Sequence, residues 1–185
     1  YHVLPIDDRS IERFDPVIAG RPDLMNGRTK LVLYPGAKGM PENAFINVKN
    51  SSLKFTAEVE VPAKGSGVLL AQGGDFGGWS FYMLDGDLYY TYNWVGLESY
   101  TVKGAPGKHT LTMDFAYDGG RGAGGMATLS VNGQMIGEGR IEKTNANTFG
   151  IDESADVGTD ENTPVTLAYV KRESFNGRIG SVTIE

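Results

Sequence analysis

The sequence predicts an all-β, two-sheet antiparallel sandwich, and three observations predict it. The 26 glycines of the 185 residues fall mostly between short apolar stretches, the spacing that strands joined by tight turns produce. Several of those stretches alternate apolar and polar residues with the two-residue period of a half-buried strand. No stretch holds a helical period of any length, so the short strands must bury one another.

Residues 1 to about 27 stand apart. They carry Asp7, Asp8, Arg9, Glu12, Arg13 and Asp15 among Pro5, Pro16 and Pro22, without alternation. This reads as a connector, and residues 28–185 as the sandwich. Val3, Leu4, Ile6, Phe14, Val17, Ile18, Leu24 and Met25 need burial, so the connector is expected to pack on the sandwich or on a neighbouring domain.

The clearest strand is "LKFTAEVEV", in which Leu53, Phe55, Ala57, Val59 and Val61 alternate with Lys54, Thr56, Glu58 and Glu60. "WSFYMLDGDLYYTYNW" reads as a hairpin turning at Asp85-Gly86, residues that tolerate positive φ. Trp79, Phe81 and Met83 share one face of its first arm; Leu88, Tyr90, Tyr92 and Trp94 share one face of the second. "HTLTMDFAY" aligns Leu111, Met113, Phe115 and Tyr117. "ATLSVNGQMIGEG" is a second hairpin, turning at Asn132-Gly133, and "GRIGSVTIE" is the last strand.

Composition narrows the function. The net charge of −6 argues against a nucleic-acid partner, which needs a basic face. No apolar run is long enough to span a bilayer. Cysteine is absent, which removes disulfides, thiolate zinc sites and a cysteine nucleophile and leaves the compartment open. The chain begins at Tyr1 without a signal sequence and reads as a piece of a longer protein.

Most formal motif matches fail on context. Gly120-x-Gly122-x-x-Gly125 matches a dinucleotide fingerprint, but a strand follows where a helix must. Gly107-Lys108 resembles a phosphate loop, but Val102 stands where glycine is needed and His109 where Ser or Thr is needed. His2 and His109 are too few and too far apart to suggest a metal site. Asn50-Ser51-Ser52 is a glycosylation sequon by pattern alone.

Three groups remain as candidates. Glu58 and Glu60, two apart on one strand, lie about 6.6 Å apart on one face, inside the roughly 5 to 9.5 Å range of glycosidase carboxylate pairs. Lys54 and Thr56 share that face and no third acid follows, so a solvated strand face is the better reading. Trp79, Tyr82, Tyr89, Tyr90, Tyr92, Trp94 and Tyr100 crowd one region; half face the core, and Tyr82 and Tyr89 are the candidates for a sugar-stacking platform. "DESADVGTDENTPV", residues 152–165, concentrates five acidic residues. Its EF-hand register fails, because Val157 stands at the required glycine and Thr163 at the bidentate glutamate. It reads as a short strand, Ala155 to Gly158, then a turn, with Asp156 and Asp160 accepting backbone N–H bonds. Acids in such a loop usually stay solvated and ionised. A calcium site built from Asp156, Asp160 and Asp75 is the alternative.

The stretches "VLPIDDR" (Val3–Arg9), "AGRP" (Ala19–Pro22), "TAEVEVP" (Thr56–Pro62), "AQGGDFGGWS" (Ala71–Ser80), "FAYDGG" (Phe115–Gly120) and "DESADVGTDENTPV" together resemble the C-terminal region of long bacterial arylsulfatases. Asn162 departs from the pattern, standing where the family has glycine; asparagine tolerates a left-handed backbone. The resemblance implies a concanavalin A-like jelly roll appended to a catalytic domain that carries calcium and a formylglycine made within Cys/Ser-x-Pro-x-Arg. That motif is absent from this chain, so the resemblance implies no catalytic residue and no cofactor here. It implies a non-catalytic accessory domain, partnered by the catalytic domain of the same polypeptide and expected to help shape substrate access. The alternatives are a carbohydrate-binding module that takes the enzyme to sulfated glycans, and a glycosidase using Glu58 and Glu60. The resemblance also implies a bacterial protein, with its compartment, periplasmic or cytoplasmic, left open.

Overall fold

The computed structural model describes residues 18, 20, 22, 24–104, 109–150, 152–169 and 173–185, with His109 as backbone only. Most of the expected connector, His2 and the Gly107-Lys108 turn lie outside the described residues.

Twelve strands follow in order: β1 (Leu31–Leu33), β2 (Met40–Pro41), β3 (Leu53–Glu60), β4 (Gly67–Gly74), β5 (Gly77–Leu84), β6 (Asp87–Trp94), β7 (Glu98–Gly104), β8 (His109–Tyr117), β9 (Gly125–Val131), β10 (Gln134–Ile141), β11 (Ser154–Val157) and β12 (Arg178–Ile184). A 3₁₀ turn spans Glu42–Ala44. The strands form two six-stranded sheets, ordered β1-β12-β3-β8-β9-β10 (sheet A) and β2-β11-β4-β5-β6-β7 (sheet B). Every strand pairing within them is antiparallel. The expected sandwich is the observed architecture.

Local chemistry explains the hairpins. Asp85 and Gly86 both take positive φ, as do Asn132 and Gly133, the backbone that matches the twist of flanking strands. In β3, Leu53, Phe55, Ala57 and Val59 point inward. Phe55 stacks on Trp79 of the opposite sheet with ring centroids 4.4 Å apart. Phe81, Met83, Leu88 and Tyr90 from sheet B and Leu111, Met113 and Leu129 from sheet A complete the middle of the core.

β4 and β5 depart from the simple pattern. All eight residues of β4 and seven of β5 are buried, because both faces of these strands are covered. The inner face meets sheet A. The outer face lies under residues 158–169, the strap, which follows β11. Val68, Ala71 and Tyr82 of the outer face form a small apolar cluster with Tyr169 of the strap, separate from the main core. A strand buried on both faces loses its alternation.

Candidate functional site

The loops at one end of sheet B form the most organised surface, and Asn93 holds it together. Asn93 is buried at the end of β6. Its Nδ2 donates to Gly74 O (3.0 Å), Asp75 O (3.0 Å) and Val165 O (3.2 Å). Its Oδ1 accepts the Gly96 N–H at 2.9 Å. One amide thus ties the β4–β5 turn, the β6–β7 turn and the strap. Thr163 adds a second tie: its Oγ1 accepts the Asp75 N–H at 2.9 Å and donates to Glu153 Oε1 at 2.6 Å.

The two turns touch through their backbones. A Cβ on Gly96 would sit 2.9 Å from Asp75 O, and one on Gly77 would sit 3.6 Å from Val95 Cα. Val95 itself has φ +47°, a left-handed conformation that is an outlier for a β-branched residue. Strain of this kind persists only where surrounding bonds over-determine it, and the Asn93 clasp supplies them. The turns present two large apolar side chains to solvent, Phe76 at 77 % and Leu97 at 75 % exposure. Sequence reasoning missed both. The available signal was an aromatic residue set between glycines in "GGDFGG", the tip of a tight turn.

The tyrosine platform is corrected. Tyr82 is 1 % exposed, so it offers no face to a ligand. Tyr82, Tyr89 and Lys103 are cross-strand neighbours on β5, β6 and β7. The Tyr82 and Tyr89 rings stack on each other at 5.3 Å and 11°, and Lys103 Nζ sits 5.4 Å from the Tyr89 ring centre. The rings stand side by side across the sheet and do not lie flat on it. Tyr169 meets Tyr82 edge-on at 5.1 Å. A row of hydroxyls runs alongside, from Tyr82 OH to Thr91 Oγ1 (3.0 Å) to Thr101 Oγ1 (2.9 Å). Thr101, Ser99 and Lys103 are exposed on β7, so this half of the outer face is open and rich in polar donors and acceptors.

The acidic loop forms the predicted short strand, at Ser154–Val157, but its key acids are not solvated. Asp156 and Asp160 are each 1 % exposed. Asp156 Oδ1 accepts Gly39 N–H at 2.6 Å; its Oδ2 accepts Ser154 Oγ at 2.9 Å and Glu161 N–H at 3.4 Å. Asp160 Oδ2 accepts Val165 N–H at 2.9 Å and Tyr169 OH at 2.5 Å. Burial pushes the Asp160 carboxyl up to about 6; the bonds from Tyr169 and Val165 oppose this, and the charges of Asp156 and Glu153 add to it. Burial likewise raises the Tyr169 hydroxyl, with the Asp160 charge beside it as the next cause. Both acids act as the expected acceptors of backbone N–H groups. Asp75 is exposed. Among the described residues no group of three or more His, Cys, Asp or Glu side chains is placed to hold a metal ion. Asn162 is not left-handed; its amide instead donates to Asp152 O at 2.9 Å and Ser154 Oγ at 3.3 Å.

Glu58 and Glu60 lie on the outer face of sheet A, away from these loops. Glu58 accepts the Thr110 hydroxyl with both oxygens, at 3.0 and 3.1 Å. Glu60 pairs with Arg178 at 3.6 Å. Both are exposed, with no wall to exclude water or orient a sugar ring between them. A shallow depression of about 400 Å³ opens on this face among Ser52, Lys54, Asp114, Met126 and Thr128, with Lys54 and Asp114 paired across it at 3.7 Å. The sequon residue Asn50 is engaged: its Oδ1 accepts Gly122 N–H at 2.9 Å and its Nδ2 donates to Ala146 O at 3.0 Å.

No family model and no curated protein matches the sequence. Solved structures do match in fold. A leech intramolecular trans-sialidase aligns over 85 % of this chain and 25 % of its own, at 14 % identity and TM-score 0.52. The CBM40 of a Ruminococcus gnavus IT-sialidase, bound to α2,3-sialyllactose, aligns over 85 % of this chain and 89 % of its own, at 14 % identity and TM-score 0.50. Domains LG4-5 of the mouse laminin α1 chain align over 85 % and 39 %, at 14 % identity and TM-score 0.48. This chain therefore spans well under half of the laminin and trans-sialidase chains. The likeness establishes a concanavalin A-like sandwich.

Proposed function

We propose that this chain is a non-catalytic accessory domain that binds carbohydrate on behalf of a larger enzyme. The observation that carries the reading is the pair Phe76 and Leu97, exposed on clasped turns beside the open polar face of β7. Sugars present one apolar C–H face and a rim of hydroxyls. An exposed aromatic ring suits the first, and Ser99, Thr101, Lys103 and the Tyr89 hydroxyl suit the second. The fold supports the reading, since the Ruminococcus gnavus neighbour is itself a carbohydrate-binding module. A non-catalytic role fits the site chemistry: Asp160, whose carboxyl is pushed up by burial, is enclosed within the strap and bonded to Val165 and Tyr169. The resemblance carried by the motifs quoted above supports an arylsulfatase as the larger enzyme and a sulfated glycan as its ligand. An array of sulfated, sialylated and neutral glycans tests this with the purified chain: selective retention is expected, and no retention on any glycan removes the reading.

A second reading, docking on a catalytic domain, is favoured by a separate surface. Ile18, Leu24, Val32 and Tyr34 are large apolar side chains exposed within a short span of chain, and β1 is an edge strand of sheet A. Slower hydrogen exchange at residues 24–34 in the longer protein than in this chain supports docking; equal exchange argues against it.

A further inference from the structure

The strap divides the outer face of sheet B. Over β7 the face is open at Ser99, Thr101 and Lys103, while over β4 and β5 it is closed by residues 158–169, and Thr91 of β6 is buried between the two. The closure is mostly polar, with few apolar anchors. Val165 and Tyr169 are the buried apolar side chains that the strap brings between Asp160 and Tyr169, while Leu167 and Ala168 face solvent. Polar contacts supply the rest: Asp160 to Val165 and Tyr169, Asn93 to Val165, Thr163 to Glu153 and Asp75, Asn162 to Asp152 and Ser154, Glu161 to Asp156 and Lys38, and Gly158 to Leu69 and Phe175. A segment held by few apolar contacts belongs to the low-stability end of a fold.

The closure also leaves polar groups unmatched. Among the described residues four buried side-chain polar atoms lack a hydrogen-bond partner, and two of them are Ser80 Oγ on the covered strip and Thr159 Oγ1 on the strap. Ser80 is fully buried and points outward, because its neighbours Trp79 and Phe81 point into the core and side chains alternate along a strand. It lies beside the Tyr169 hydroxyl without a well-formed bond to it. Buried hydroxyls of this kind destabilise the state that buries them. Tyr169 occupies the strip as a six-membered ring bearing a hydroxyl, edge-on to Tyr82. The hydroxyl row from Tyr82 through the buried Thr91 to the exposed Thr101 links the covered strip to the open face of β7.

We propose that the strap is a displaceable lid, and that the strip beneath it, Ser80 and Tyr82 with Thr91 at its border, is a second carbohydrate subsite taken up when a longer saccharide displaces Tyr169. This rests on the reading of the open half as a carbohydrate surface. A sugar ring there packs against the Tyr82 edge and gives Ser80 Oγ the partner it lacks, which a chain too short to reach past Thr91 does not do.

Hydroxyl-radical footprinting read by mass spectrometry tests the lid without a ligand. In the wild type, Tyr82 is expected to label at least roughly tenfold faster than Trp79, an equally buried ring of the main core, because the lid opens locally. Tyr169→Ala raises Tyr82 labelling further and leaves Trp79 unchanged. Tyr169→Phe, which keeps the ring and loses the bond to Asp160, falls between. Labelling of Tyr82 no faster than Trp79, or unmoved by either substitution, overturns the lid. The ligand arm uses a sulfated disaccharide and a sulfated hexasaccharide. The hexasaccharide is expected to raise Tyr169 labelling and protect Tyr82, and the disaccharide to do neither. A hexasaccharide that binds without moving either label overturns the subsite and leaves the open-face reading standing. A lid that opens while neither saccharide binds overturns the carbohydrate assignment.

Discussion

Replacing Asn93 by alanine should loosen the loop end of sheet B more than any surface change could. The substitution removes two N–H donors, shared among three carbonyls, and one acceptor from a buried position. A net contribution of about 1 kcal/mol for each of these groups would give roughly 3 kcal/mol, and an enclosed carbonyl left without a donor adds about 1 kcal/mol more. The Asp75 carbonyl lies on an exposed turn and regains water, whereas the Val165 carbonyl stays enclosed. The expected loss is therefore about 2–4 kcal/mol, with no clasp left to hold Val95 in its strained φ. In a chain of this length each kcal/mol moves the melting midpoint by about 2–4 °C, so a loss near 3 kcal/mol lowers it by about 6–12 °C. Urea titration is the assay: the midpoint should fall at unchanged slope. Asn93→Asp keeps the acceptor for Gly96 but sets a carboxylate against three carbonyl oxygens, and should be at least as damaging. An Asn93→Ala protein within about 0.5 kcal/mol of wild type, the range of ordinary surface substitutions, would refute the clasp.

Val95→Asn should stabilise by about 1 kcal/mol, because asparagine accepts the left-handed backbone that a β-branched residue resists; an unchanged or lower urea midpoint would count against strain at this turn. Asp160 has its carboxyl raised by burial from 3.8 to about 6, so between those values the native state holds a proton that the unfolded chain has released. Its contribution to stability is thus fully present below the lower value and lost as pH rises through the upper one. Melting wild type and Asp160→Asn across pH 4 to 7 should show the difference between them changing through that window; a constant difference would contradict the assignment. Melts with calcium and with chelator should superimpose, since Asp156 and Asp160 already accept protein donors. A calcium-dependent rise abolished by Asp156→Asn would restore the metal loop with Asp75.

The parts of the fold legible in the sequence were those set by near neighbours. Asp85-Gly86 and Asn132-Gly133 marked their turns because positive φ is a local property, and β3 showed its faces because only one is covered. The misses share a different cause. Tyr82 was read as exposed because alternation places it opposite the core, and nothing local says that a strap from the far end of the chain returns to cover it. That Asp156 accepts backbone N–H groups is legible, but its burial and its donor are not, since Gly39 lies 117 residues away. Whether Tyr89 lies flat or stands in a stack depends on its register with Tyr82 and Lys103, which only the folded sheet defines. Phe76 went unnoticed because exposure at a loop tip has no period to reveal it.

The central claim, that Phe76 and its neighbours form a carbohydrate-binding surface, is tested most directly by titration calorimetry. The saccharide retained most strongly on the glycan array would be titrated into wild type and Phe76→Ala. Phe76 is so exposed that its loss should leave the melting midpoint unchanged, while removal of an aromatic stacking contact weakens binding by about tenfold. Equal affinity in the two proteins, with both folded, would contradict the account.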